Sequence, residues 1–171
     1  MSPLDADKLY DISKMAGEAL CMASPRQRTH VVRMSNAYVA GDRSPNFLPT
    51  VLKEAAATGA VTIGQSRASR KDYVAIDDAV AAILTIARGG VYDVYNIASG
   101  HLTTHGEIAD QLARKHGFDV RFAEHGPDDL QPVLVTERLQ ELLPWRPCML
   151  VDDLGGLVEA ALLQRGAEPP R

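Results

Sequence analysis

Cysteine is nearly missing from this chain of 171 residues: Cys21 and Cys148 are the two, far apart and without CxxC spacing. That excludes a dense disulfide scaffold and a CxxC zinc or redox motif, and it favours a reducing compartment. Long apolar runs are missing too, since none approaches the roughly 20 residues that cross a bilayer. The opening "MSPLDADKLY" has neither a basic n-region nor an apolar h-region, so it does not read as a signal peptide. These absences predict a soluble, cytoplasmic protein with no membrane partner. There is no basic excess either: the formal charge is -4 and the pI near 5.7. A dedicated nucleic-acid binder usually shows a basic face, so that class is set aside. A few local Arg or Lys residues would still suffice for an anionic small-molecule substrate. Finally, no GxGxxG or GxxGxxG occurs; the nearest glycine clusters are Gly89-Gly90 and Gly155-Gly156. The chain therefore carries no Gly-rich turn of the kind that cradles a dinucleotide pyrophosphate.

What is present is ordinary in amount, with 46% hydrophobic and 23% charged residues. That suits one good core, or a domain with a small appendage. Lys8 to Ala23 places Ile12, Ala16, Ala19, Leu20 and Ala23 at helical spacing, and Pro25 closes the run. "HVVRM" (His30 to Met34) reads as a buried strand, and "SNAYVAGDRSPN" as the loop after it. A helix from about Phe47 to Thr58 and a strand from Val61 to Ile63 follow. Asp72 to Ile76 is extended, and Asp77 is placed to N-cap an Ala-rich helix reaching about Ala87. Val91 to Ile97 is a strand. Thr104 and Glu107 form a capping box, with Gly117 as the matching helix stop. "VRF" (Val120 to Phe122) is a short strand, "ERLQELL" a short helix, and Val151 to Gln164 an amphipathic one, before a tail, "GAEPPR", expected to fray. Strands alternate with helices almost throughout, which predicts an α/β fold.

Tyr10 and Lys14 are four residues apart on the first helix and so share a face. A phenol is a poor base at neutral pH, but an ammonium close by favours phenolate and makes proton exchange with a substrate hydroxyl feasible. The same spacing also suits a packed Tyr beside a solvated Lys, and YxxxK alone does not decide between them. Other polar residues have plain structural readings. Asp77 and Asp78 suit a helix start better than a metal pair. His101 and His105 lack a convergent third ligand. Trp145, between Pro144 and Pro147, reads as a packing anchor, and Arg33 as a bridge between core elements.

The order of the segments carries more than any one of them. "YDISKMAGE", ending on Glu18, resembles the active-site helix of the extended short-chain dehydrogenase/reductases of the NAD-dependent epimerase/dehydratase family. "VVRMSNAYVAG" is similar to the strand and loop that follow it there, with Arg33, Asn36, Tyr38 and Gly41 matching, and Val39 and Ala40 in place of Gly-Pro. "NFLPTVLKEAAATGAVTIGQSRASRKDYVAIDDAVAAI" resembles the family's next helix, short strand and "RDYVxVxDxAxA" signature. "VYNIASGHLTTHGEIADQL", with Asn96, Ser99, Gly100 and Thr104, and "LLPWRPCMLVDDLGGLVEA" complete five ordered blocks over about residues 8 to 160.

The resemblance implies the C-terminal half of such an enzyme. Residues 1–45 would end a doubly wound Rossmann domain, 46–165 would be mostly the substrate-binding α/β subdomain with returning Rossmann elements, and 166–171 a frayed tail. Tyr10 would be the catalytic acid/base and Lys14 would tune it and hold the nicotinamide ribose. Met34 to Asn36 would border the nicotinamide, with Asn36 reaching toward the substrate. In nucleotide-sugar members an Arg precedes the "DYV" aspartate and grips the diphosphate. Lys71 stands there, with Arg70 one earlier, and Lys does not replace Arg at a two-pronged site. Either Arg70 takes over, or the substrate is not a standard nucleotide-sugar. NAD or NADP would be held mostly by a missing N-terminal half, which decides between the two. The strand at His30 to Met34 would then lack its sheet partners and expose an apolar edge. A homodimer, or pairing with a chain that supplies the other half, follows; the stripe Ile12, Ala16 and Ala19 would suit a dimer or a sheet. The alternative is a non-catalytic remnant serving as a binding or assembly module.

Overall fold

Helix α1 (Ala6–Ala23) leads to strand β1 (Val31–Met34) and, after Ser35 alone, to β2 (Asn36–Tyr38). The structure, a computed structural model, describes residues 6–23 and 29–167. Residues 1–5, the helix-closing Pro25 and tail residues 168–171 lie outside the described residues. The chain continues through α2 (Phe47–Thr58), β3 (Ala60–Ile63), β4 (Arg70–Ala75), α3 (Ile76–Gly89), β5 (Val94–Ile97), β6 (Leu102–Thr104), α4 (His105–His116), β7 (Asp119–Phe122), α5 (Glu137–Leu142) and α6 (Leu150–Ala167).

Three small sheets result. β1 pairs in parallel with β5, Val31 opposite Val94 and Met34 opposite Ile97. β3 pairs in parallel with β7. Between them β4 pairs in parallel with β2 and antiparallel with β6. Parallel pairs need crossover connections, and the intervening helices supply them. The fold is α/β.

β4 is the hinge of the packing. Asp72, Tyr73 and Val74 are buried in succession, the mark of a strand covered on both faces. Because successive side chains alternate, Tyr73 enters one core and Val74 the other. The first core joins β4 to α2, α4 and α6 through Leu48, Val51, Ile108, Leu112 and Leu154. The second joins it to α3, α5 and β5 through Ala79, Ala82, Ile86, Tyr95 and Leu139. Trp145 packs at the edge of that second core and donates its indole N–H to the Ala98 carbonyl at 2.9 Å, as an anchor should.

The α4 caps follow the sequence reading. Thr104 Oγ1 accepts the Glu107 N–H at 3.0 Å, Glu107 Oε2 accepts the Thr104 N–H at 2.7 Å, and Gly117 ends the helix at φ 70°. Four expectations need correction. "SNAYVAGDRSPN" is not all loop, because Asn36–Tyr38 finds a partner in β4. Asp77 does not cap α3: Ala75 occupies that place in extended conformation, and Asp77 and Asp78 lie in the first turn, where Asp78 accepts the Cys148 N–H at 2.7 Å. The strand at Val31–Met34 is not without partners, since β5 takes one edge. The tail does not fray from 166, because α6 continues through Ala167.

Residues 123–136 form a strap without helix or strand that runs past the start of β4. Arg70 N–H donates to the Asp129 carbonyl at 2.8 Å, Gln131 N–H to the Arg70 carbonyl at 3.2 Å, and Ser66 N–H to the Pro127 carbonyl at 3.0 Å. Asp129 N–H donates to Ser69 Oγ at 2.9 Å, and Asn96 Nδ2 to the Val135 carbonyl at 2.9 Å. The strap approaches so closely at Gly126 that a Cβ there would meet the Gly64 carbonyl oxygen at 2.5 Å and the Gln65 carbonyl carbon at 2.8 Å. Both obstacles are backbone and cannot rotate away. Gly126→Ala is therefore expected to cost about 1–3 kcal/mol, in line with other overpacked sites. A denaturant midpoint unchanged from the parent would contradict this close approach.

Candidate functional site

On α1, Tyr10, Lys14 and Glu18 stand at i, i+4 and i+8 and so line one face. Lys14 Nζ lies over the Tyr10 ring, 5.0 Å from its centroid, a cation–π arrangement. Both side chains are open to solvent, Tyr10 at 62%. One turn further on, Glu18 binds the Arg33 guanidinium of β1 through both carboxylate oxygens. The pairing raises the Arg33 pKa and lowers that of Glu18, with the Glu18–Arg33 hydrogen bonds as the main cause in each case. Arg33 thus bridges helix and strand, although it does so at the surface. The face of α1 that carries Tyr10 and Lys14 is therefore the face tied to β1. Met34 ends β1, 46% exposed, and Asn36 opens β2 two residues later. Ends of parallel strands are where α/β folds place ligands.

The second group gathers under the strap. Asn36 Nδ2 donates to the Asp72 carbonyl at 2.9 Å and to Gln131 Oε1 at 3.2 Å. Lys71 Nζ pairs with Asp129 Oδ2 at 2.8 Å, the Lys side chain 19% and the Asp side chain 41% exposed. Asn36 and Lys71 are thus joined through one short piece of strap, residues 129–131. Arg70 does not join them, because neighbours on a strand point to opposite faces. Its guanidinium takes part in no ion pair among the described residues.

Sequence reasoning missed Asp129 and Gln131. Nothing periodic marks the strap; the one signal was its density of polar residues between two apolar segments. It also undervalued His105. The imidazole is fully buried at the start of α4 and stacks on Phe47, centroids 3.8 Å apart and planes 8° apart. Neither ring nitrogen has a hydrogen-bond partner. Burial first, then the positive charge of Lys71, push its pKa down to about 4, against a smaller opposing pull from Asp129. Tyr73 is likewise buried with an unpartnered hydroxyl, and burial and then Asp129 raise its pKa. Tyr38 donates to Asp153 Oδ2 at 2.7 Å; burial, followed by that bond, holds the phenol protonated. His101 is exposed in the connection between β5 and β6. Among the described residues no three His, Cys, Asp or Glu side chains are grouped to hold a metal.

Chemically, then, the chain offers an open phenol–ammonium pair on a helix and, across the strand ends, a lysine already matched by a carboxylate.

Comparison with known proteins gives a consistent result. The NAD dependent epimerase/dehydratase family matches residues 1–98. A dTDP-glucose 4,6-dehydratase of Streptomyces niveus is 27% identical over 168 residues, 92% of this chain and 49% of that protein. Among solved structures, RMD from Pseudomonas aeruginosa, complexed with NADPH, superposes with a TM-score of 0.78 at 18% identity, covering 91% of this chain and 55% of that one. DesIV, a dTDP-glucose 4,6-dehydratase from Streptomyces venezuelae with NAD and TYD bound, gives 0.74 at 23% identity, covering 91% and 50%. The chain spans about half the length of the curated relative it matches, and about half of each of these structures.

His105 gives this region a measurable signature. Unfolded, the imidazole takes a proton below about pH 6.5; folded, it stays neutral to about 4. The unfolded state then binds more protons in that window, so stability is fully present above about pH 6.5 and falls as pH drops toward 4. Melting temperatures of the parent and of His105→Phe, compared across this range, should diverge, with the variant showing the flatter profile. Parallel curves would mean that the imidazole is not buried neutral.

Proposed function

We propose, because the chain belongs to the NAD dependent epimerase/dehydratase family, that it carries the acid/base side of a short-chain dehydrogenase active site acting on a hydroxyl or carbonyl of a sugar-nucleotide-like substrate. The observation that carries this reading is the Tyr10–Lys14 pair, held ring to ammonium on an open face tied by Glu18 to the strand that ends at Met34. In this reading the chain corresponds to a C-terminal half. Residues 1–45 close a doubly wound nucleotide-binding domain and residues 46–165 are mostly the substrate subdomain.

The residues present fit one wall of a nicotinamide site and not its phosphate cradle. Lys14 offers an unburied ammonium for ribose hydroxyls and Met34 an exposed apolar side chain, but no Gly-rich turn occurs in the sequence. NAD or NADP, when bound, supplies hydride acceptance and return. The part played by this chain is proton handling and orientation. Tyr10 Oη takes the proton from the substrate hydroxyl as the carbonyl forms and returns it on reduction. Lys14 keeps positive charge beside that oxygen. Asn36, its amide nitrogen engaged by Asp72 and Gln131, has its carbonyl oxygen left for a substrate hydroxyl. Lys71 faces the anionic part of the substrate, and Arg70, on the opposite face of β4, acts at most at its periphery.

The second reading is a binding or assembly module. It draws on Leu9, Ile12, Met15 and Leu20, large apolar side chains that α1 leaves exposed. A homodimer or an association with a chain bearing the Gly-rich half would cover them, and only the latter restores chemistry.

Two outcomes test the first reading. Calorimetric titration of this chain with NAD should give no saturable binding in the micromolar range, since the cradle is absent. When the chain is complemented by the Gly-rich half of a relative, Tyr10→Phe should lower kcat by about 10²–10⁴-fold, the contribution of a positioned proton-transfer group. Full activity of that variant would remove Tyr10 from the chemistry.

A further inference from the structure

A cavity of about 300 Å³ lies between α2, α6 and the loop at 39–45. None of Tyr10, Lys14, Met34, Asn36, Arg70 or Lys71 lines it. Its volume falls at the lower end of the range for small-molecule sites, about 300–1,000 Å³. The floor is apolar: Leu48, Leu52 and Leu157 are buried residues of the first core whose side chains meet there. Around it stand three cations, Arg43, Lys53 and Arg165.

What sets these three apart is that they line one cavity. The chain as a whole carries a formal charge of -4, yet none of its ion pairs among the described residues involves any of the three. The one carboxylate in the lining, Asp42, is already committed, Oδ1 to the Ser44 N–H at 2.8 Å and Oδ2 to the Ser44 hydroxyl at 2.9 Å. Like charges lining one cavity, with no ion-pair partner among the described residues, repel one another, and an apolar wall behind them reduces their screening. An anion placed among them relieves both.

The walls are built. Gln164 of α6 donates to the Gly41 carbonyl at 3.0 Å, and Arg165 donates to the Ala56 carbonyl of α2 at 3.0 Å. Gly41 sits at φ 77°, and a Cβ there would come within 2.8 Å of Gln164 Nε2, so glycine is what lets the loop close against α6. Both sides of the cavity are therefore fixed by hydrogen bonds before any ligand arrives.

We infer that this cavity is a second binding site, separate from the proposed catalytic face, for a small organic anion with an apolar body: an aromatic or branched aliphatic carboxylate or sulfonate. The body lies on Leu48, Leu52 and Leu157, and the acid group points to Arg43, Lys53 and Arg165 at the mouth. A plain inorganic anion lacks the body, and an uncharged hydrocarbon leaves the cations unmatched.

The test uses the chain as it stands, with 8-anilinonaphthalene-1-sulfonate as the probe and uncharged N-phenyl-1-naphthylamine as its control. Binding is followed by amide chemical shifts. The inference expects one saturable site with shifts at Gly41, Lys53, Ala161 and Gln164, and an affinity about tenfold or more above that of the control, equivalent to about 1.4 kcal/mol. The surface double variant Arg43→Glu with Lys53→Glu should remove most of that preference, and Ala161→Trp, which fills the cavity, should abolish binding. Shifts centred on α1, equal affinity for the uncharged control, or indifference to the charge-reversed double variant would overturn the proposal. The double variant alters side chains at the cavity mouth and leaves the cores untouched, so it decides the matter even if the filled variant folds poorly.

Discussion

Burying a carboxylate is costly unless its oxygens are fully engaged, and Asp72 meets that condition with backbone alone. It is 1% exposed; one oxygen accepts the Ser99 N–H and the other the Gly100 N–H, each at 2.8 Å. These bonds fix the turn between β5 and β6, and with it the position of β5 relative to β4. They also fix the start of α4, because β6 ends at its cap. The carbonyl of the same residue accepts from Asn36, which sets where β1 hands over to β2. Three connections thus converge on a single residue of the strand that divides the two cores. The arrangement of β1, β5 and the strap around β4 depends on those bonds more than on any hydrophobic contact, because apolar packing alone does not select a register.

The parts of the fold with local instructions were legible in the sequence. Thr104, Glu107 and Gly117 bound α4 through capping chemistry, and α2 from Phe47 to Thr58 follows from its apolar spacing. What escaped has no local instruction. β2 and β6 are three residues each, too short for a period, and exist because β4 offers both edges. Asp77 looked like a cap by type, but the strand before α3 runs straight into the helix, so an alanine occupies the cap. The proximity of Tyr10 and Lys14 was legible because four-residue spacing on a helix is itself geometry. Asp129 and Gln131 were not, because their partners are more than fifty residues away and the strap between has no regular structure.

α1 and the rest of the chain contrast in how they are held. Among the described side chains, the two cores contain no α1 residue. The helix is attached through Glu18 to Arg33, an exposed ion pair of the kind that contributes little. Its large apolar side chains face solvent, a cost that a stable assembly would have to recover by covering them. The phenol–ammonium pair is therefore carried by the element least integrated with this chain's own cores, and within the described residues its side-chain tie to them is the Glu18–Arg33 pair. This is why the same exposure supports both the catalytic and the assembly readings.

The Lys71–Asp129 pair sets a condition on either reading. A lysine 19% exposed and matched at 2.8 Å gains part of its stabilisation from that carboxylate, so an incoming anion must displace Asp129 or accept a partly neutralised cation. Displacement is feasible in one direction only. Asp129 keeps its backbone bonds to Ser69 and Arg70 through the strap, whereas its side chain is 41% exposed and can turn to water. The carboxylate can thus leave without the strap moving. An arginine would offer an anion two prongs; here a single ammonium is already shared with a carboxylate, so any anion brought to this strand meets a partly matched charge.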